Sequence, residues 1–172
     1  GRQGLKDVMN RHESEDLLAE MVWCGIQGAL VAHALGNPLP KVAVLSATEF
    51  VNPALPSTLD AAALSKMCER GQIAGCIVDG PLALDNALSP EAAAEKNLRS
   101  PVAGHADILL GHTIEVSNSL AKGATYFAGL MLAHVIVGAR VPVLISSRAD
   151  KSEARLMSIA LGTVMTGQTA GS

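Results

Sequence analysis

Five short apolar runs constrain this chain most: residues 42–47 (VAVLSA), 76–78 (CIV), 108–110 (ILL), 135–137 (VIV) and 141–145 (VPVLI). The first four are separated by stretches long enough for helices. None alternates polar with apolar residues, which marks strands buried on both faces, and helices between such strands imply a mainly parallel sheet. The reading is a layered α/β fold. Helix signals fit between the runs. "STLD" at 57–60 has the form of a capping box, followed by "AAALSKMCER" and a stop at Gly71. Ser89-Pro90-Glu91 opens another helix with a cap, a proline at the first position and an acid in the first turn. Helices are also predicted over 117–129 and 152–165.

One long segment precedes the first run. Residues 17–35, LLAEMVWCGIQGALVAHAL, contain Glu20, Gln27 and His33, and their apolar residues recur at helical spacing. With Glu13, Glu15 and Asp16 before it in place of a basic start, the segment reads as a helix packed on the protein. No membrane span and no signal peptide is expected.

The chain's 172 residues suffice for one domain with a real core, or one domain plus a fragment of another. With 49% hydrophobic but only 2% aromatic residues, that core must be built from Ala, Val, Leu, Ile and Met. A formal charge of -3, with no basic stripe interleaved with aromatics, argues against nucleic acid as a partner. Cys24, Cys68 and Cys76 show no CxxC spacing and read as reduced thiols of an intracellular protein.

In such sheets ligands bind beyond the carboxyl ends of the strands. The opening there is "VDGPLALDN", residues 78–86. Asp79, Gly80 and Pro81 form a turn sequence, and Asp85 adds a second acid. Two acids are few for a hard metal ion. "SSRADKSE", residues 146–153, sets Ser147 beside Arg148 ahead of a helix N-terminus. A hydroxyl, a guanidinium and free helical N–H groups together suit a phosphate or carboxylate. Equally, Asp150 and Glu153 have capping-box spacing, and Arg148 can simply pair with one of them. His105 and His112 flank the run at 108–110 and read as solvated loop residues. Asn118 and Lys122, four apart, share one helix face. There is no P-loop, no GxGxxG and no serine in a nucleophile elbow.

Three stretches, "TLDAAALSKMCERGQIAGCIVDGPLALDNALSPEAA", "SPVAGHADILL" and "SSRADKSEARLMSIAL", closely resemble the phosphate acetyl/butyryltransferases, the butyryl branch above all. The resemblance runs from about residue 41 to 162. It implies a three-layer α/β/α, isocitrate-dehydrogenase-like fold and reversible transfer of a short acyl group between coenzyme A and inorganic phosphate. No cofactor is implied, since coenzyme A and phosphate are substrates. It further implies a homodimer in the cytoplasm. By the same resemblance Arg148 binds the phosphate, Ser147 donates to the developing thiolate or oxyanion, and Asp150, or else Glu153, is the base. Asp79, Gly80, Pro81 and Asp85 match the family's cleft loop, and Asn118 and Lys122 its ligand-edge helix. Ser117 and Ala121 depart from that helix's usual Gly and Tyr. The implied organisation is a poorly matched helical segment at 1–37, a cleft-forming α/β domain at 38–146 and a closing segment at 147–172. Family enzymes carry a further N-terminal domain, so the alternative is an inactive acyltransferase-like interaction module.

Overall fold

The computed structural model describes residues 2–148 and 150–169, with side chains described between residues 17 and 167. The chain divides into two compact units, Gly1–Ala29 with Pro38–His112, and Leu30–Asn37 with Thr113–Ser172. The boundary expected at 146/147 falls inside the second unit.

The first unit is built on strands β1 (Lys41–Leu45), β2 (Ile77–Leu82) and β3 (Ile108–Leu110), each on a predicted apolar run. They form a parallel sheet in the order β2-β1-β3. Register places Val42 beside both Val78 and Ile108, and Val44 beside Leu110, so one face is a continuous aliphatic surface. Helices α1 (Arg2–Ala34) and α2 (Pro56–Glu69) cover that face. Met21 and Ala29 from α1, with Ala61 and Leu64 from α2, complete the core around Val42, Val44 and Val78. Ala43 and Leu45 point the other way and are buried too. Burying one Val or Leu side chain fully is worth about 1.5–3 kcal/mol, so this face dominates the unit's stability. The result is the mixed α/β architecture with an open parallel sheet that the apolar runs predict.

Residues 17–34 of α1 are long and apolar enough to cross a membrane by composition. One side of this stretch joins the core, with Leu17, Leu18, Val22 and Ile26 packed against it.

Several local expectations are corrected. Asp79, Gly80 and Pro81 do not form a turn; they lie inside β2. Two residues, Gly80 and Pro81, stand opposite Val44 between the pairs Ala43–Asp79 and Leu45–Leu82, which is a β-bulge. Proline is tolerated because β2 is an edge strand of this sheet, where an N–H can be dispensed with. The expected capping box at Ser57 is absent. The α2 N-cap is Leu55, with Pro56 at the first position, and Thr58 Oγ1 instead accepts from the Asn52 amide at 2.9 Å and donates to the Leu55 carbonyl at 2.8 Å. Ser89 does cap α4 (Pro90–Glu95), accepting from the Ala92 amide at 3.2 Å. A short helix α3 (Leu84–Leu88) precedes it.

In the second unit, α5 spans Ile114–Tyr126 and α6 spans Ser152–Thr169. The strands expected at 135–137 and 141–145 do not form. A single antiparallel bridge joins Ile136 and Val143, through amide–carbonyl bonds of 2.8 and 3.0 Å. Ile136, Val141, Val143, Leu144 and Ile145 are 41–61% exposed. Apolar β-branched residues suit a pleated buried surface, but a ladder needs a partner strand.

Gly80 sits where β1, β2 and α2 converge. An added Cβ would lie 2.9 Å from both Val44 Cβ and the Val44 carbonyl oxygen, and 3.1 Å from Ala61 Cβ. Gly80→Ala is therefore expected to destabilise the fold by about 1–3 kcal/mol, the usual cost of overpacking, measurable by urea unfolding. The thiols make a second check. Cys76 is buried, and burial followed by its neighbour Cys68 pushes its pKa up, whereas Cys24 is exposed. A maleimide should label Cys24 rapidly and Cys76 only on unfolding.

Candidate functional site

In the first unit, the segments leaving β1 and β2 carry a polar cluster. Glu49 follows β1, Asp85 opens α3, and Lys96 bridges them at 3.2 and 3.1 Å. The amide of Asn86, then the Lys96 ammonium, hold the exposed Asp85 carboxyl below its ordinary pKa. Asp85, then Glu49, raise that of Lys96. Asn86, fully buried, donates to Glu49 Oε2 at 3.1 Å. Asp79 faces α2 instead: its Oδ1 accepts from Ser65 Oγ at 3.1 Å and from the Gly80 amide at 2.8 Å. It fastens helix to strand, while Asp85 belongs to the Lys96 clasp.

His112, two residues beyond β3, is not the solvated residue expected. Its Nε2 lies 2.8 Å from Asp60 Oδ2 on α2, with both side chains mostly buried. His105 is exposed.

The second unit holds a cavity of about 610 Å³, within the ordinary range for small-molecule sites. One wall is α5. Thr113 caps this helix, its hydroxyl accepting from the Val116 amide at 3.4 Å, so it starts three residues earlier than predicted. Asn118 and Lys122, a turn apart, line the cavity. The facing wall is the loop into α6, which contributes Ser147, Asp150 and Glu153. Five of the expected site residues thus meet around one space.

The loop has a specific construction. Asp150 Oδ2 accepts the Ser147 amide at 2.6 Å, and the Asp150 amide donates to the Ser147 carbonyl at 3.1 Å. Asp150 is therefore a brace for the turn. Arg148 stands exposed at its tip, and among the described residues no carboxylate pairs with it. The open alternative, an arginine spent on Asp150 or Glu153, is not what this loop adopts.

His134 also lines the cavity and went unnoticed in the sequence, where it is a lone polar residue heading an apolar run. Its amide donates to Ser158 Oγ at 2.9 Å, and that hydroxyl, 3% exposed, donates to the Ala154 carbonyl at 2.9 Å. The buried serine anchors the segment to α6. Among the described residues no group of three His, Cys, Asp or Glu side chains is clustered to hold a metal ion.

Known proteins resemble this chain over most of its length. The family described as "Phosphate acetyl/butaryl transferase" matches residues 13–163, reaching back into α1. A probable phosphate butyryltransferase of Bacillus subtilis is 58% identical over 131 residues, covering 76% of this chain and 44% of that protein. A phosphate acetyltransferase of Thermotoga maritima is 54% identical over 134 residues, 78% of this chain and 46% of that one. The crystal structure of a branched-chain phosphotransacylase from Enterococcus faecalis superposes with a TM-score of 0.78 at 36% identity, over 86% of this chain and 53% of that one. The chain spans less than half the length of these curated relatives.

Proposed function

We infer, because the chain belongs to the phosphate acetyl/butaryl transferase family, that the whole protein exchanges a short acyl group between coenzyme A and inorganic phosphate. In one direction acyl-CoA and phosphate give acyl phosphate and CoA. The observation that carries this reading is the turn at 147–150: an exposed arginine that no described carboxylate pairs with, next to a serine lining a cavity that Asn118 and Lys122 also line.

Phosphate is a weak and heavily hydrated nucleophile, so a site must hold it close to the thioester carbon and in line. Arg148 offers a planar fork of donors for two phosphate oxygens. Ser147 supplies a donor for the oxyanion or thiolate that develops as the acyl group leaves. Lys122 adds a second positive charge, and Asn118 a neutral donor. Within the first unit, Asp79, Gly80, Pro81 and Asp85 match the family's loop sequence: Gly80 allows close packing against Val44 and Ala61, and Asp85 pairs with Lys96. Glu153 lines the cavity as a further carboxylate. None of these steps calls for a metal or redox cofactor.

The idle-module reading is not favoured by the relatives, whose names are those of enzymes. We place the protein in the cytoplasm as a homodimer. The exposed run at 126–131, with Phe127 95% exposed, is apolar surface of the kind a second copy covers. The deciding experiment mixes the whole protein with butyryl-CoA or acetyl-CoA and follows thioester absorbance. A phosphate-dependent fall is expected; no change with either thioester would reject the activity.

A further inference from the structure

Resting on the acyl-transfer reading above, we propose that His134 is the base that takes the proton of the CoA thiol, and that Asp150 positions the site without taking that proton.

Asp150 is poorly placed for the task because its Oδ2 already accepts the Ser147 amide at 2.6 Å. A proton on that oxygen would displace the bond that shapes the turn, and an amide N–H left without its acceptor is costly. His134 meets the requirements Asp150 lacks. It lines the same cavity as Ser147, and its side chain is 40% exposed, so a thiol can reach it. Its backbone is fixed to α6 through Ser158, and no described residue hydrogen-bonds its ring. Nε2 lies 3.9 Å from Asp150 Oδ2, too far for a hydrogen bond but close enough for a charge to be felt. The imidazolium formed in the reaction faces that carboxylate. The other charged groups lining the cavity are Lys122 from α5, Lys151 beside α6 and Glu153 in its first turn.

The step balances without a further reactant. In the direction of acyl-CoA synthesis, the thiol proton moves to the imidazole and sulfur attacks the carbonyl carbon of the acyl phosphate. The C–S bond forms, the bond from that carbon to the phosphate oxygen breaks, and the leaving phosphate keeps the electron pair. The imidazolium then returns its proton to the phosphate. In reverse, His134 receives the proton of the attacking phosphate and gives it to the departing thiolate.

The test measures kcat/KM for CoA against pH, with acyl phosphate, in the whole protein and in H134N, H134A and D150N. The wild type should show an acid limb, a fall in rate once the base is protonated. H134N should be about 100-fold slower, as removal of a general base commonly is, and should lack that acid limb. H134A should regain part of its rate when imidazole is added. D150N should be slower yet keep the acid limb, because it loosens the turn without removing the base. An H134N enzyme with the wild-type rate and limb, or loss of the limb in D150N alone, would overturn the assignment. A wild type that turns over no acyl phosphate would instead remove the acyl-transfer reading on which it rests.

Discussion

Arg148→Ala should lower kcat/KM for phosphate by about two to three orders of magnitude, the usual loss when one preorganised donor at a reacting centre is removed. That corresponds to about 3–4 kcal/mol of barrier. The expectation rests on the turn at 147–150. Asp150 spends its carboxylate on the Ser147 amide, so the guanidinium at the tip has no described acid to neutralise it and is exposed to an incoming anion. The KM for phosphate should rise more than kcat falls, since the contact is made in the ground state as well as the transition state. Arg148→Lys should recover only part of the loss, because an ammonium cannot grip two oxygens at once. An unchanged phosphate KM in the alanine variant would show that the guanidinium is not the phosphate holder.

The largest stability loss is expected at Gly104. Its φ is +76°, a region that costs an L-residue about 1–2 kcal/mol. Worse, an added Cβ would lie 2.6 Å from Pro90 Cα, 2.8 Å from Pro90 N and 3.2 Å from the Ser89 carbonyl carbon. These are backbone atoms at the start of α4, so no rotamer change relieves the overlap. The Gly104 amide is meanwhile tied to the Asn86 carbonyl at 2.8 Å, which stops the loop from backing away. Adding about 1–3 kcal/mol for overpacking, Gly104→Ala should cost about 2–5 kcal/mol. Gly71 is the control. It has nearly the same φ, +75°, but nothing within 4 Å of its absent Cβ. Gly71→Ala should therefore show the conformational cost alone, and the difference between the two urea midpoints isolates the collision. Equal shifts would mean that α4 yields easily to the added methyl.

The legible and illegible parts of the sequence divide along physical lines. The strands at 41–45 and 108–110, and the first residues of the strand at 77–82, were legible because burial on both faces leaves an unbroken apolar run. The runs at 135–137 and 141–145 look the same, yet they make one bridge, since a sequence records a residue's preference for a sheet and not the presence of a neighbour. Asp79-Gly80-Pro81 misled for a related reason. Turn-forming residues are also those that fit an edge-strand bulge, and only the pairing with Val44 tells the two apart. The gathering of Asn118, Lys122, Ser147, Asp150 and Glu153 was foreseeable from their matched motifs. His134 was not, because one imidazole ahead of an apolar run carries no spacing signal; its meaning depends on Asp150 and Ser158 approaching from a distant segment. Nor did His112 announce Asp60, 52 positions away.

The bulge in β2 also governs the chain downstream of it. Asp79 and Leu82 are three apart, an odd interval that would set them on opposite sides of a regular strand, yet they pair with Ala43 and Leu45, which share a side. The additional residue resets the phase of the chain by half a pleat. Deleting either residue 80 or residue 81 would leave Asp79 and Leu82 two apart, the regular interval for residues on one side of a strand. Leu82 would keep its place opposite Leu45, and what the strand would lose is the local bend and added twist that the extra residue imposes just ahead of α3.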